Sequence, residues 1–243
     1  MLDITITATR RPEILFRTLN SFYDNMLKPI KNDCNVIINV DPVGHDIPSM
    51  QIVGLVSSFF RHYHINMPSI ASFPKAFVWC WRNTHAKYIL HLEDDWELLQ
   101  PVNIRHMITI MDKYPQLAVL RLPWKPSGSM LQKNWKCFYP WNGDYFECPQ
   151  NMRREVGFCG HPSLIRGAWA RIAVECLNDA HNPEKQFHHG SPSMMSLIDA
   201  YQYGTYGQPN APSYVRDIGR PWMIEHGFAK KGIKAIFTEW EKV

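Results

Sequence analysis

The sequence predicts an α/β protein built on a mostly parallel sheet with helices on both faces. Three observations carry this. Short β-branched and aliphatic runs alternate with stretches of helical period from Ile4 to Leu92. The stretches between them suit crossover helices, which parallel strands require. The polar residues Thr9, Arg10, Asp41 and the cluster Glu93-Asp94-Asp95 all stand at the carboxyl ends of those strands, where such sheets bind ligands.

Ile4 to Thr7, ITIT, is the first strand. Pro12 suits the first turn of a helix, where its missing N–H costs nothing, and Glu13 is favourable in the same turn. Ile14, Leu15, Leu19 and Phe22 then recur on one helical face. Val36 to Val40 is the second strand, ended by Asp41-Pro42. Residues 49–63 and 74–84 read as helices, and Tyr88 to Leu92 as the next strand. Residues 102–114 are a helix and 117–122 a strand. From Pro123 to Gly157, proline, glycine, asparagine and aromatics follow without period, which predicts loops and short strands. Residues 166–179 and 192–203 return to helix, and 213–219 form a last short strand. With no repeat, low-complexity tract or linker, the expectation is one domain: residues 1–122 as one half, and 123–243 as a smaller, irregular one.

The chain has 243 residues, 45% hydrophobic and 20% charged, an ordinary globular composition. No apolar run approaches the roughly 20 residues needed to span a bilayer. The basic pair Arg10-Arg11 follows the first apolar stretch instead of preceding it, unlike a signal peptide. The expected location is cytoplasmic. The six cysteines form no C-x-x-C pair, and a zinc site on Cys159 and His161 has spacing alone in its favour. A net charge of +4 permits an anionic partner such as a nucleotide without demanding nucleic acid.

The acidic cluster carries the chemistry. Three adjacent carboxylates repel one another, and a merely soluble turn needs none of them. At a strand end, such carboxylates suit Mg²⁺ or Mn²⁺, bound together with a substrate's phosphates.

These segments resemble a known family. ITITATRRPEILFRTLNSF, the strand ending in Asp41, and YILHLEDDWEL are similar to the nucleotide-binding half of GT-A glycosyltransferases. The likeness is greatest to family 2-like members, including compact stand-alone enzymes of phages. It implies metal-dependent transfer of a sugar from a nucleotide-sugar, a UDP-sugar foremost, to an acceptor hydroxyl with inversion. Glu93-Asp94-Asp95 matches the family's D-x-D motif with Glu in the first place. Asp95 then ligates Mn²⁺ or Mg²⁺, and Glu93 and Asp94 face the nucleotide or metal. Thr7, Ala8, Thr9 and Arg10 would cradle base and ribose, and Asp41 would bond the base. Lys75 or Arg82 would meet the diphosphate, or be ordinary surface charge.

An inverting enzyme also needs a general base. The resemblance points to Glu184, with Asp179 nearby. Many members carry a late histidine before an Ile/Val-Gly pair; here Asp217 takes that place as a metal ligand, with His188, His189 and His226 as competitors. Around Asn142-Gly143, Trp135, Phe138, Tyr139, Trp141, Tyr145 and Phe146 would either stack on an acceptor or close the core. Trp141 and Tyr145 are the candidate acceptor contacts. The acceptor would be a glycan or, as for some phage enzymes in a host's cytoplasm, a hydroxymethylated DNA base. A nucleotidyltransferase and a non-catalytic carbohydrate- or nucleic-acid-binding protein are the rivals; TATRRPE lacks the glycine a nucleotidyltransferase loop normally has.

Overall fold

The computed structural model describes residues 1–124, 140–156, 158–233 and 237–242. The chain runs β1 (Leu2–Arg10), α1 (Pro12–Phe22), β2 (Cys34–Gly44), α2 (Ser49–Phe59), β3 (His62–Asn66), α3 (Phe73–Arg82), β4 (Tyr88–Glu93), β5 (Trp96–Leu98), α4 (Ile104–Lys113) and β6 (Leu117–Arg121). It continues with β7 (Phe146–Glu147), α5 (Arg153–Val156), β8 (Ser163–Arg166), α6 (Gly167–Glu175), α7 (Pro183–His189), α8 (Pro192–Ala200), β9 (Gln202–Thr205), β10 (Val215–Asp217), α9 (Gly219–Glu225), β11 (Phe228–Ile233) and β12 (Phe237–Lys242). Eight strands form one sheet in the order β3-β2-β1-β4-β8-β6-β9-β7. β3, β2, β1 and β4 are mutually parallel, as are β6 and β9, while β8 and β7 run against their neighbours. β5 pairs with β10 and β11 with β12, both antiparallel.

The period of two along β1 divides the molecule. Leu2, Ile4, Ile6 and Ala8 enter one core, with Leu15 and Leu19 of α1, Ile52 and Val56 of α2, and Met107 and Met111 of α4. Asp3, Thr5 and Thr7 are buried on the other face. There the core is aromatic: Phe77 and Trp81 of α3 meet Phe158, Trp169 of α6 and Phe187 of α7. Ring centroids lie 5.3 Å apart for Trp81–Phe158 and 4.4 Å for Phe158–Phe187. Both faces are covered, as a parallel sheet requires.

Several elements differ from the expectation. The helix expected over 49–63 stops at Phe59, and His62–Asn66 adds an edge strand. An edge strand pairs on one side and tolerates polar residues, so its histidines hid it. β8 and β9 are strands beyond the expectation, and they overlap the ends of the helix segments expected at 166–179 and 192–203. The strand expected at 213–219 narrows to Val215–Asp217, and it is not the last.

Tyr145 is a further correction. It is fully buried, wedged over the backbone of Gly204, with its ring 5.2 Å from Tyr114. It supports the sheet and offers no face to an acceptor. Trp141 is half-buried, 5.0 Å from Phe146. Trp135, Phe138 and Tyr139 lie outside the described residues. No helix among the described residues is long and apolar enough to cross a membrane.

Candidate active site

A cleft of about 510 Å³ opens at the carboxyl ends of β1, β2 and β4. Thr7, Ala8, Thr9 and Arg11 line it from the first strand end, Asp41 from the second, and Glu93, Asp94 and Asp95 from the third. Ser72, Phe73 and Ala76 close it at the start of α3, and Asn182 and Glu184 at the start of α7. The parallel strand order makes this convergence: strand ends that lie far apart in sequence finish side by side.

The three carboxylates of the acidic cluster have different surroundings. Asp94 is buried and turned into the protein. Its carboxylate accepts the Thr9 amide at 2.9 Å, the Thr9 hydroxyl at 3.2 Å and Arg11 Nη2 at 2.7 Å. The same guanidinium reaches Asp95 at 3.3 Å and lies 5.3 Å from the Trp222 ring centroid. Burial alone would lower the Arg11 pKa, but the charges of Asp94 and Asp95 outweigh it and hold it above the ordinary value. Asp94 is thus a fixed anchor between β1 and β4, whereas Glu93 and Asp95 flank it.

Glycines permit the closest approaches. A Cβ on Gly160 would sit 2.5 Å from Glu93 Oε1 and 3.2 Å from Glu184 Oε1. The Gly160 amide donates to Glu184 Oε1 at 2.6 Å. Glu93 and Glu184, 91 positions apart in the numbering, therefore meet across one residue without a side chain. Gly219 likewise leaves room against the Asp95 carboxylate, and the Ile218 amide donates to the Asp95 carbonyl at 2.9 Å.

Asp41 accepts the Asn39 side-chain amide at 2.8 Å and the Ser72 backbone amide at 2.9 Å. Burial pushes its carboxyl pKa up, those two bonds oppose the rise, and nearby Asp94 adds to it. Glu184 stands in the first turn of α7, after the Asn182 cap and Pro183. Asp179 lies in an exposed turn and does not line the cleft.

Other candidates are placed elsewhere. Arg10 lies outside the cleft lining, and Arg11 takes the position expected of it. Counting alternate residues past Thr9 selects Arg11, the one signal that would have found it. Lys75 is exposed at the start of α3 and also lies outside the lining. Arg82 is in the last turn of α3, about 14 Å along the axis from its start, and pairs with Glu175 at 3.6 Å. That distance removes it from the diphosphate role. Asp217 is opposite Trp96 in the β10–β5 pair, but its carboxylate accepts the Gly219 and Arg220 amides at 2.9 and 3.3 Å and so starts α9. His188 Nε2 donates to the Phe158 carbonyl at 3.0 Å, beside the second core, where burial lowers its pKa. Ser72, Gly160, Gly219 and Phe228, all bordering the site, had no sequence motif to announce them.

Glu93 and Asp95 offer carboxylate oxygens, the donor type that hard Mg²⁺ or Mn²⁺ prefers. Among the described residues they do not join a third metal-binding side chain. The chemistry of the donor set thus fits a cation that shares its coordination with substrate phosphates and water.

No protein-family model matches the sequence, and no curated protein matches it. Solved structures do share its architecture. S. aureus TarS aligns over 88% of this chain and 36% of its own, with 11% identity and a TM-score of 0.56. TarS 1-349 in complex with UDP aligns over 88% of this chain and 60% of its own, at 14% identity and a TM-score of 0.55. The mannosyltransferase PcManGT from Pyrobaculum calidifontis, in complex with GDP-Man and Mn²⁺, aligns over 86% and 55%, at 10% identity and a TM-score of 0.52. The chain therefore has the GT-A fold and spans roughly a third to three fifths of these proteins.

Proposed function

We propose that this protein is a glycosyltransferase that moves a sugar from a UDP-sugar to an acceptor hydroxyl with inversion. The observation that carries the reading is the meeting of Glu184 with Glu93 across Gly160, at the strand ends of a GT-A sheet. Residues 1–122 serve the donor and 123–243 the acceptor. Thr7, Ala8 and Thr9 border the nucleoside, and Asp41 accepts the uracil N3–H. Mn²⁺ or Mg²⁺ held by Asp95 and Glu93 supplies charge neutralisation on the diphosphate.

Glu184 takes the acceptor hydroxyl's proton on its carboxylate, oriented by the Gly160 amide. The acceptor oxygen forms a bond to the anomeric carbon as the bond from that carbon to the diphosphate oxygen breaks. The electron pair leaves with UDP. The Arg11–Asp94 pair holds β1 and β4 in register beneath this chemistry.

A panel of UDP-sugars incubated with Mn²⁺ and the protein tests the reading through UDP release. Glu184→Gln should bind UDP as the parent does and turn over about 10²–10⁴-fold more slowly. Asp95→Asn should lose the Mn²⁺ dependence of UDP binding. No UDP release from any donor, or full turnover in both variants, sinks the proposal.

A further inference from the structure

Outside the cleft lining, Glu13, His45 and His226 each bring one potential ligand atom within 4.8 Å of the others. They come from three elements: the first turn of α1, the loop after β2, and the residue that ends α9. We propose that they form a second metal site, selective for a borderline transition cation such as Zn²⁺, which clips the C-terminal α9 to the first third of the chain.

The chemistry favours this set. His226 Nδ1 lies 2.9 Å from the Trp222 carbonyl. A carbonyl only accepts, so Nδ1 carries the proton and Nε2 keeps its lone pair. A backbone carbonyl on the far nitrogen is the usual way a ligating histidine is oriented. The ring stacks on Trp222 with centroids 4.2 Å apart and planes 13° from parallel. The Trp222 indole N–H donates to Glu13 Oε1, which orients the carboxylate. His45 Nε2 approaches the same Glu13 oxygen at 3.2 Å.

Glu13 and His45 are 45% and 43% exposed in their side chains, so a cation has access and both can adjust. Zinc ligands in a tetrahedral shell lie about 3.3 Å apart, given bonds of roughly 2.0 Å. Small rotamer changes of two exposed side chains close that gap. Two imidazoles and one carboxylate suit Zn²⁺, whereas Mg²⁺ prefers oxygen alone. The cation would close a long stretch of chain between His45 and His226, where loop entropy makes a clip most effective.

The test is independent of glycosyl transfer. Zn²⁺ is titrated calorimetrically into the metal-stripped full chain in excess Mg²⁺, which occupies oxygen-only sites. Thermal melting is followed in parallel. One equivalent should bind and raise Tm. His45→Gln and Glu13→Gln should each weaken binding at least tenfold and abolish the Tm rise, and Mn²⁺ should bind more weakly than Zn²⁺. His45 is exposed, so its variant keeps the fold and decides the matter. Unchanged Zn²⁺ affinity in His45→Gln overturns the proposal. So does Zn²⁺ binding that is lost in His188→Gln instead, which would mark capture by the His188-His189 pair.

Discussion

On the strand-end wall of the cleft, Asp94 accepts three hydrogen bonds and Asp41 two, all from residues of the first 94 positions. On the facing wall, among the described residues, Glu184 accepts one, from the amide of Gly160. The first wall is cut from a continuous parallel sheet, and the second is a seven-residue helix and a loop laid against it. Rigid binding on one side and adjustable placement on the other is what a site needs when donor and acceptor bind separately. The difference also says where substitution should harm the fold and where it should harm only the chemistry.

Arg11→Met tests the rigid wall and should have the largest effect. It leaves Asp94 buried beside Thr9 without its cation, and breaking a buried pair costs about 3–5 kcal/mol. For a chain of this size that is a Tm loss on the order of 10 °C. A melting temperature within error of the parent would show that the pair does not hold the wall. If Arg11→Met stayed stable while Glu184→Gln unfolded, the assignment of rigid and adjustable walls would be reversed.

The same contrast explains what was legible in the sequence. Strand alternation, helix-start prolines and the acidic cluster are local signals. They mark β1, β2 and β4 and put Asp41, Glu93 and Asp95 at the strand ends without reference to packing. The facing wall depends on which loops meet after the chain has folded. Pro183 announced the first turn of α7, so Glu184 was within reach of local reasoning. Gly160 was not, because the need for a missing Cβ exists only once Glu93 and Glu184 are neighbours. Tyr145 failed for the opposite reason: in a loop it resembles a stacking platform, yet an adjoining glycine of β9 gives it a buried seat.

Gly160→Ala tests the adjustable wall. The new methyl would stand 2.5 Å from Glu93 Oε1, so that carboxylate must move. Glu184, 3.2 Å away, must give by a few tenths of an ångström. Misplacement approaching 1 Å costs about 10²-fold in rate. Turnover should therefore fall by that order while Tm changes little, since the loop can shift as a unit. A large Tm loss with normal turnover per folded molecule would instead make Gly160 a packing residue of the second core.

The smallest expected effect per group asks whether the two walls stand on equally dry ground. His91 is in β4, under the strand-end wall, and His161 follows Gly160 in the facing loop, its ring 4.9 Å from Trp96. Burial lowers both pKa values to about 3. At His91, Nδ1 accepts the Trp81 indole N–H at 3.3 Å, because an indole nitrogen cannot accept. Protonating that nitrogen would break the bond inside an aromatic core. Both groups bind protons more readily in the unfolded chain, where the ordinary value near 6.5 applies. Their neutral forms therefore contribute stability that is present above about pH 6.5 and lost as the pH falls toward 3. From pH 7 to pH 5 the fully buried His91 should remove about 2 kcal/mol from the unfolding free energy, and the partly exposed His161 less. Chemical denaturation at the two pH values measures the sum, and NMR separates the sites, since neither ring should titrate in the folded protein between pH 8 and 4. If only His161 titrates near its ordinary value, water reaches the loop beside Gly160, and the adjustable side of the cleft is also its solvated one. If His91 titrates there, the strand-end wall is not the dry, fixed support from which Asp41, Asp94 and Asp95 project.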